Sequence, residues 1–520
     1  MENKNKTITP AYQSPLWRFF EVVLGVLTWL VVLSPVWLGL IYPQAMVYFL
    51  TLLTLYWSYL AIMNTVGLMV GYPKYKKEIS IDWYEECKKL NFAELPERST
   101  LPATLEDVKH FILIPCVSEH YKILEDTFNS FLEQSYPTKS FTLVYTLEEK
   151  HAEKVKADIE KITAPHKEKF DDILIYIHPA GIPGEAIGIG GANRTWGAKH
   201  AVEELKKAGE NLRNYIFSSF DADHIPHKQY MARLAHLYLT TDGRDNHFYS
   251  TSVHLFNNNH WRVPAMMRIE SNFVTLGTLA SRSVPWGLSS LTKDTFAAYS
   301  ASLQTLLDAD FWDVQLGQDD TLFFWRAFFK RDGNFKLASH YIPYSADAVE
   351  GPNFLAAHKS LYKQLVRWGW GALEFPMSMT GFLRNNKIPI WKKVVWTYDH
   401  LKTRVVMINI VYLITFGFAI LTLVNPNVKQ SSFAYSLPDT MSTILTFTLV
   451  FLLPPIYFRT KLSPDIPREW PWWRKFLLNL EGFLVIGNLL TFSFFPFIEA
   501  QTRMMFGKRM KDLYHTPKVR

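Results

Sequence analysis

The sequence predicts an open, parallel-rich α/β domain inserted between amino- and carboxyl-terminal transmembrane helices. Three observations predict it. Apolar residues dominate roughly the first 70 and the last 120 of the 520 positions, and the middle is an ordinary globular mixture. In that middle, short apolar runs alternate with amphipathic stretches, the pattern of buried strands joined by helical crossovers. Acidic residues follow those runs directly, at the carboxyl strand ends where open α/β sheets hold their ligands.

Composition narrows the class further. Apolar residues make up 48% and charged residues only 20%, so the chain can bury enough surface to offset its entropy, and disorder is excluded. Seventeen Trp and 37 Phe are more than one soluble core needs and fit a protein that meets lipid. The two cysteines, Cys87 and Cys116, exclude a disulfide framework and a cysteine-based zinc module. Lys+Arg exceed Asp+Glu by 55 to 48. The excess sits beside apolar segments, at Lys74, Lys76, Lys77, Lys392, Lys393, Arg474, Lys475, Lys508, Arg509 and Lys511. That placement favours anionic membrane lipid as a partner and no nucleic acid, which would need a basic face on the globular part.

Residues 1–19 read as a cytoplasmic tail carrying Lys4, Lys6 and Arg18. The runs 20–42 and 45–70 each exceed the ~20 residues that cross a bilayer. The uncharged link at Pro43 and Gln44 makes 20–70 a transmembrane hairpin and a retained signal anchor. Both of its ends are basic, so both are expected in the cytoplasm, with the middle of the chain. Residues 71–104 are a linker, and 105–350 form the α/β domain. Within it, residues 111–115, 141–147, 173–178 and 215–220 read as buried parallel strands. Stretches 119–134, 149–162 and 192–208 read as the helices between them, wound in Rossmann-like fashion. Residues 351–404 are interfacial amphipathic helices, 405–498 transmembrane or re-entrant helices, and 499–520 a basic tail. Three apolar runs, 405–424, 441–458 and 476–497, supply the latter helices. The last is the least lipid-like, with Glu481, Gly482, Gly487, Asn488 and Pro496, and reads as re-entrant or interfacial. The total of spans stays open between four and six, and the side of the carboxyl terminus stays open with it.

Four short patterns bear on chemistry. Asp221-Ala222-Asp223 closes a buried strand; paired carboxylates there either hold an oxygen-loving ion or form a turn before the next helix. Asp319 and Asp320, after Gln318, stand at a helix amino terminus, as a cap or as a general base at the rim of a site. Gln364, Arg367 and Trp368, spaced i, i+3 and i+4, share one helix face, suited to phosphate and a sugar ring or to lipid headgroups. Gly188, Gly190 and Gly191 lack the third glycine of a dinucleotide fingerprint and follow the third strand. They read as a loop whose glycines admit a ligand backbone, with Asn193 capping the next helix.

The order D-x-D, then (E/Q)-D, then Q-x-x-R-W, followed by membrane helices, resembles the processive-type family-2 glycosyltransferases, the cellulose, hyaluronan and chitin synthases and their bacterial relatives. The resemblance runs from about Phe111 to the end, and Glu499-Ala-Gln-Thr-Arg503, Gly507-Lys508 and Thr516-Pro-Lys518 are similar to bacterial tails. It implies a GT-A-like fold and a hexosyltransferase that uses Mg²⁺ or Mn²⁺. Asp221 would contact the nucleotide and the metal, Asp223 the metal, and Asp319 would be the base. Gln364 and Arg367 would hold the pyrophosphate, and Trp368 would face the acceptor. Ser118, Glu119, Glu148 and Asn193 would belong to the nucleotide-sugar site. The sequence departs from the family at Val117-Ser118-Glu119, Glu148, Ile189-Gly190, Gln318 and Leu365.

The resulting expectation is a multi-pass inner-membrane (plasma-membrane) enzyme with a cytoplasmic catalytic domain. It would invert the anomeric centre while moving a sugar from a nucleotide diphosphate, UDP ahead of GDP, to a polysaccharide or glycolipid acceptor; processivity stays open. The alternative is a non-processive transferase to polyprenyl phosphate or lipid, whose relatives generally lack Q-x-x-R-W. A transporter without catalysis is disfavoured, because the first four apolar runs hold almost no ionisable residues to mark a path.

Overall fold

The computed structural model describes residues 14–186, 190–284, 286–508, 516 and 518. Lys4, Lys6, Gly188, Ile189, Arg509, Lys511 and Pro517, named above, lie outside the described residues. Two compact units divide the chain. One comprises Met1–Trp57, Leu365–Leu445 and Leu489–Met510, the other Ser58–Gln364, Thr446–Asn488 and Lys511–Arg520.

The second unit contains the sheets. Its strands are β1 (Lys109–Cys116), β2 (Phe141–Glu148), β3 (Asp172–His178), β4 (Tyr215–Ser219), β5 (Ile225–Pro226), β6 (His247–Thr251), β7 (His254–Leu255), β8 (Tyr299–Ser302), β9 (Lys336–His340) and β10 (Tyr344–Ser345). Seven of them form one mixed, mostly parallel sheet in the order β3-β2-β1-β4-β8-β6-β9, and β5-β10-β7 form a small second sheet. The first four are the strands expected from the sequence. Phe111, Ile112, Leu113 and Ile114 of β1 are fully buried, as a strand covered on both faces requires. Parallel pairing sets Leu113 against Val144 of β2 and Ser219 of β4. One more bond, Phe220 N–H to the Leu113 carbonyl at 3.0 Å, carries the pairing past β4, so Asp221 leaves the sheet at its carboxyl edge.

The other half of the large sheet is unlike the simple parallel expectation. β8 enters antiparallel beside β4, with Phe217 opposite Ala301, and β6 and β9 extend the sheet beyond it. These strands are short and rich in Ser, Thr and His, without the apolar run that marks β1 or β2.

Among the described residues, five stretches are helical, long and apolar enough to cross a membrane: Pro15–Val32, Pro43–Glu78, Ile390–Val424, Ala434–Leu462 and Trp472–Met505. The first apolar run of the sequence is two helices, Pro15–Val32 and Ser34–Ile41, because Pro35 has no N–H to continue the ladder. The helix Pro43–Glu78 continues through Pro73 to a last turn carrying Lys76 and Lys77. The last stretch is interrupted at Glu481–Phe483 and again between Thr491 and Phe495. In the first unit, Glu21 is fully buried, and its carboxylate accepts from Trp17 Nε1 at 2.8 Å and Arg18 at 2.9 Å. Thr28 Oγ1 donates to Gln501 Oε1 at 2.6 Å, tying the Pro15–Val32 helix to Phe495–Met505.

Candidate active site

The carboxyl edge of the large sheet collects the acidic residues. Asp221 and Asp223 follow β4, and Asp319 opens the helix Asp319–Lys330. That helix is fixed from behind by aromatic packing. Phe323, four residues into it, stacks on Tyr299 of β8 with ring centroids 5.3 Å apart. Phe217 of β4 lies 5.5 Å from Trp312, whose indole N–H donates to the Tyr299 hydroxyl at 2.5 Å. Gln318, before the helix, is held left-handed at φ 81°, a conformation of order 1–3 kcal/mol above the norm for a side-chain-bearing residue. Such strain is retained where surrounding structure fixes it, and here it turns Asp319 toward β4.

Arg194 joins the two groups. It is the fifth residue of the helix Gly190–Lys207. Its guanidinium donates to Asp221 Oδ1 at 2.7 Å and to Ser219 Oγ at 3.3 Å, and pairs with Asp319 Oδ2. Burial would raise the carboxyl of Asp221, but His224 and Arg194 outweigh it and hold the group below the usual carboxylate range. His224 Nδ1 accepts the Asp221 N–H at 3.1 Å, and its Nε2 lies 3.7 Å from Asp221 Oδ2.

Asp223 is buried, and its Oδ2 accepts from the Asp347 N–H at 2.8 Å and from Lys518 Nζ at 2.5 Å. Burial is again overcome, chiefly by Lys518, and the carboxyl is held well below its ordinary value. One ligand atom each from Asp221, Asp223 and His224 lies within 4.8 Å of the others. Asp221 and Asp223 offer carboxylate oxygens that suit a divalent ion. His224, with its Nδ1 taken by the Asp221 N–H and its proton on Nε2, stands beside them as a neighbour and not a ligand. The Lys518 ammonium on Asp223 is a cation already paired with one of these oxygens. The residues present therefore fit Mg²⁺ or Mn²⁺.

Asp320 turns the other way. Its Oδ2 accepts the Ala297 N–H at 3.1 Å and its Oδ1 the Thr321 N–H at 2.8 Å. Burial first, then the Asp319 charge, pushes its carboxyl up to about 6. Glu119 is buried after β1, with Oε2 on the Val117 N–H at 2.6 Å, and Ser118 precedes it. Glu148 ends β2 and lies 3.4 Å from His178 Nδ1, while Glu185 holds the other ring nitrogen at 2.7 Å. Asn193 engages Thr146 with both ends of its amide, at 2.6 and 3.2 Å, and so anchors its helix to β2. Gln364, Arg367 and Trp368 all lie on the helix Phe354–Gly369; Gln364 ends a stretch of the second unit, and the other two belong to the first.

The mannosyltransferase PcManGT of Pyrobaculum calidifontis, solved in complex with GDP-Man and Mn²⁺, is similar to this chain at 12% identity and TM-score 0.42, over 79% of this chain and 99% of its own. S. aureus TarS 1–349 is similar at 12% identity and TM-score 0.35, over 77% and 92% respectively. Its complex with UDP gives 12% and 0.33, over 69% and 94%. No protein-family model and no curated protein matches the sequence.

Sequence reasoning missed Arg194 and assigned no contact to Lys518. Arg194 did leave a signal, because the helix expected at 192–208 would carry this cation in its first turn, against the helix dipole and in need of anions nearby. The glycines before it have a packing reason. A Cβ on Gly190 would stand 2.7 Å from the Arg194 guanidinium, and one on Gly191 only 2.3 Å from the Asp313 carbonyl oxygen. Gly191→Ala is therefore expected to destabilise the protein by about 1–3 kcal/mol, as overpacking does. Thermal unfolding would show it as a lowered midpoint, and an unchanged midpoint would mean that the helix shifts freely off Asp313.

Proposed function

We propose that the chain is a membrane-embedded, inverting glycosyltransferase that extends a polysaccharide or glycolipid acceptor from a nucleotide-diphosphate sugar. One observation carries the reading: Asp221 and Asp319, far apart in sequence, meet on a single buried guanidinium at the carboxyl edge of the sheet. That edge is where α/β sheets bind nucleotides. Asp319 takes the proton from an acceptor hydroxyl, and the hydroxyl oxygen bonds to the anomeric carbon as the bond to the diphosphate oxygen breaks. The electron pair of that bond leaves with the nucleoside diphosphate. A single displacement from the opposite side inverts the centre. Asp221 and Asp223 would hold the divalent ion, which when bound supplies positive charge to the leaving diphosphate. Ser118 and Glu119 follow β1, the parallel neighbour of β4, and Glu148 ends β2, one strand further along the same edge; all three suit the nucleotide base and ribose. Gln364 and Arg367 are assigned to the pyrophosphate, and Trp368 to the acceptor, on their motif alone.

Radiolabelled UDP- and GDP-sugars, supplied to purified protein in bilayers with product sizing, test the reading. Incorporation from at least one UDP-sugar into a product that inverts the donor's anomeric configuration is the expected result. A single sugar on polyprenyl phosphate would replace the polysaccharide reading, and no transfer from any donor would remove the enzyme.

A further inference from the structure

We infer that Arg194 is the positioning residue for the base, holding Asp319 in reach of the reacting centre and apart from the D-x-D carboxylates. The inference rests on the function proposed above and adds a residue that the sequence motifs do not contain.

The side chain is largely buried, at 12% exposure, where a positive charge needs compensating partners. Three acceptors compensate it, and they come from three places: Ser219 in β4, Asp221 after β4, and Asp319 on the next acidic helix. A guanidinium is a rigid planar fork, so binding two carboxylates at once fixes their separation and orientation. Arg194 takes Oδ2 of Asp319, and Oδ1 is the oxygen to which an acceptor hydroxyl can be presented. Gly190 leaves room for this arrangement, since a Cβ there would stand 2.7 Å from the Arg194 guanidinium and 3.5 Å from Asp319 Oδ1.

The same geometry solves an electrostatic problem. A carboxylate close to a divalent-ion site is drawn toward the ion as a further ligand, and a coordinated oxygen is a poor base. A fixed cation between Asp221 and Asp319 keeps the second carboxylate on its own side. Lysine in place of arginine would keep the charge but, as a point donor on a flexible stem, could not brace both carboxylates.

The test is a double-mutant cycle between Arg194 and Asp319, with nucleoside-diphosphate affinity in Mn²⁺ measured by calorimetry beside transfer rate. Arg194→Lys is expected to leave that affinity within about threefold of wild type while kcat falls by ~10²-fold, the scale of a small misplacement of a catalytic group. In an Asp319→Asn background the same change should lower the residual rate by less than about twofold, because its effect runs through Asp319. Arg194→Gln, which is uncharged, shorter and keeps one NH₂ donor group, serves where the lysine variant does not fold. Equal losses in both backgrounds would overturn the inference. So would loss of nucleotide binding in both Arg194 variants, which would make the residue structural. Full activity of Arg194→Lys with an inactive Asp319→Asn overturns Arg194 and leaves the base in place. An active Asp319→Asn overturns the base itself.

Discussion

Asp319→Asn is expected to lower glycosyl transfer by ~10²-fold or more while nucleotide and metal binding stay near wild type. Asparagine is nearly isosteric and caps a helix about as well as aspartate, so a residue that serves only as the first polar group of Asp319–Lys330 would survive the change. A base would not, because an amide cannot accept the acceptor's proton. The structure sharpens the control at Asp320. Both of its oxygens are spent on backbone N–H groups, of Ala297 and Thr321, inside the protein. An asparagine there must point its own N–H₂ at one of those donors, leaving it unmet at about 1–3 kcal/mol. Asp320→Asn should therefore lower the melting midpoint and yield less folded protein, while kcat per folded molecule is retained. The reverse pattern, with Asp320→Asn folded but dead and Asp319→Asn active, would shift the base by one residue. Activity in both variants would remove this helix from the chemistry.

What was legible in the sequence follows from how local each signal is. β1 and β2 are continuous apolar runs, and a buried parallel strand has no simpler description. The exit of β4 at Asp221 and the helix opening at Asp319 were legible for the same reason, as a polar pair beside an apolar run. β8, antiparallel beside β4, was not, since Tyr299-Ser-Ala-Ser302 gains its strand only from the neighbours that pair with it. Asn193 illustrates a different limit. The glycines before it suggested a cap, and the resemblance implied a place in the nucleotide-sugar site; it lies instead inside the helix Gly190–Lys207, with its amide bonded to Thr146 of β2. The residue that meets the carboxylates is its neighbour Arg194, turned by one helical step. Periodicity gives a face to each residue only when the partner surface is known, and β2 and the Asp319 helix lie far from position 194 in sequence. Lys518 is the extreme case, as its contact with Asp223 spans most of the chain.

That contact frames the second large effect, the loss of metal-dependent binding in Asp223→Ala. In the wild type, a nucleoside diphosphate brings at least two negative charges to a place already lined by Asp221 and Asp223. Affinity in Mn²⁺ is therefore expected to exceed affinity in chelator by about tenfold or more, each tenfold being ~1.4 kcal/mol of charge compensation. Asp223→Ala should reduce the Mn²⁺ value to the chelator value and lower transfer on the order of 10²–10³-fold, the scale of removing one fixed electrostatic stabiliser. Asp223→Asn separates charge from packing, because it can still accept the Asp347 N–H that holds the native carboxylate at 2.8 Å. If the asparagine variant folds normally and loses the metal effect, the charge of Asp223 is what the ion needs. The alternative has a structural basis of its own. Lys518 Nζ already stands on Asp223 and the Arg194 guanidinium on Asp221. Should chelator and metal give equal affinity in the wild type, these two cations neutralise the pair unaided. The divalent ion would then drop out of the reaction, and the diphosphate would be held by the protein's own charges.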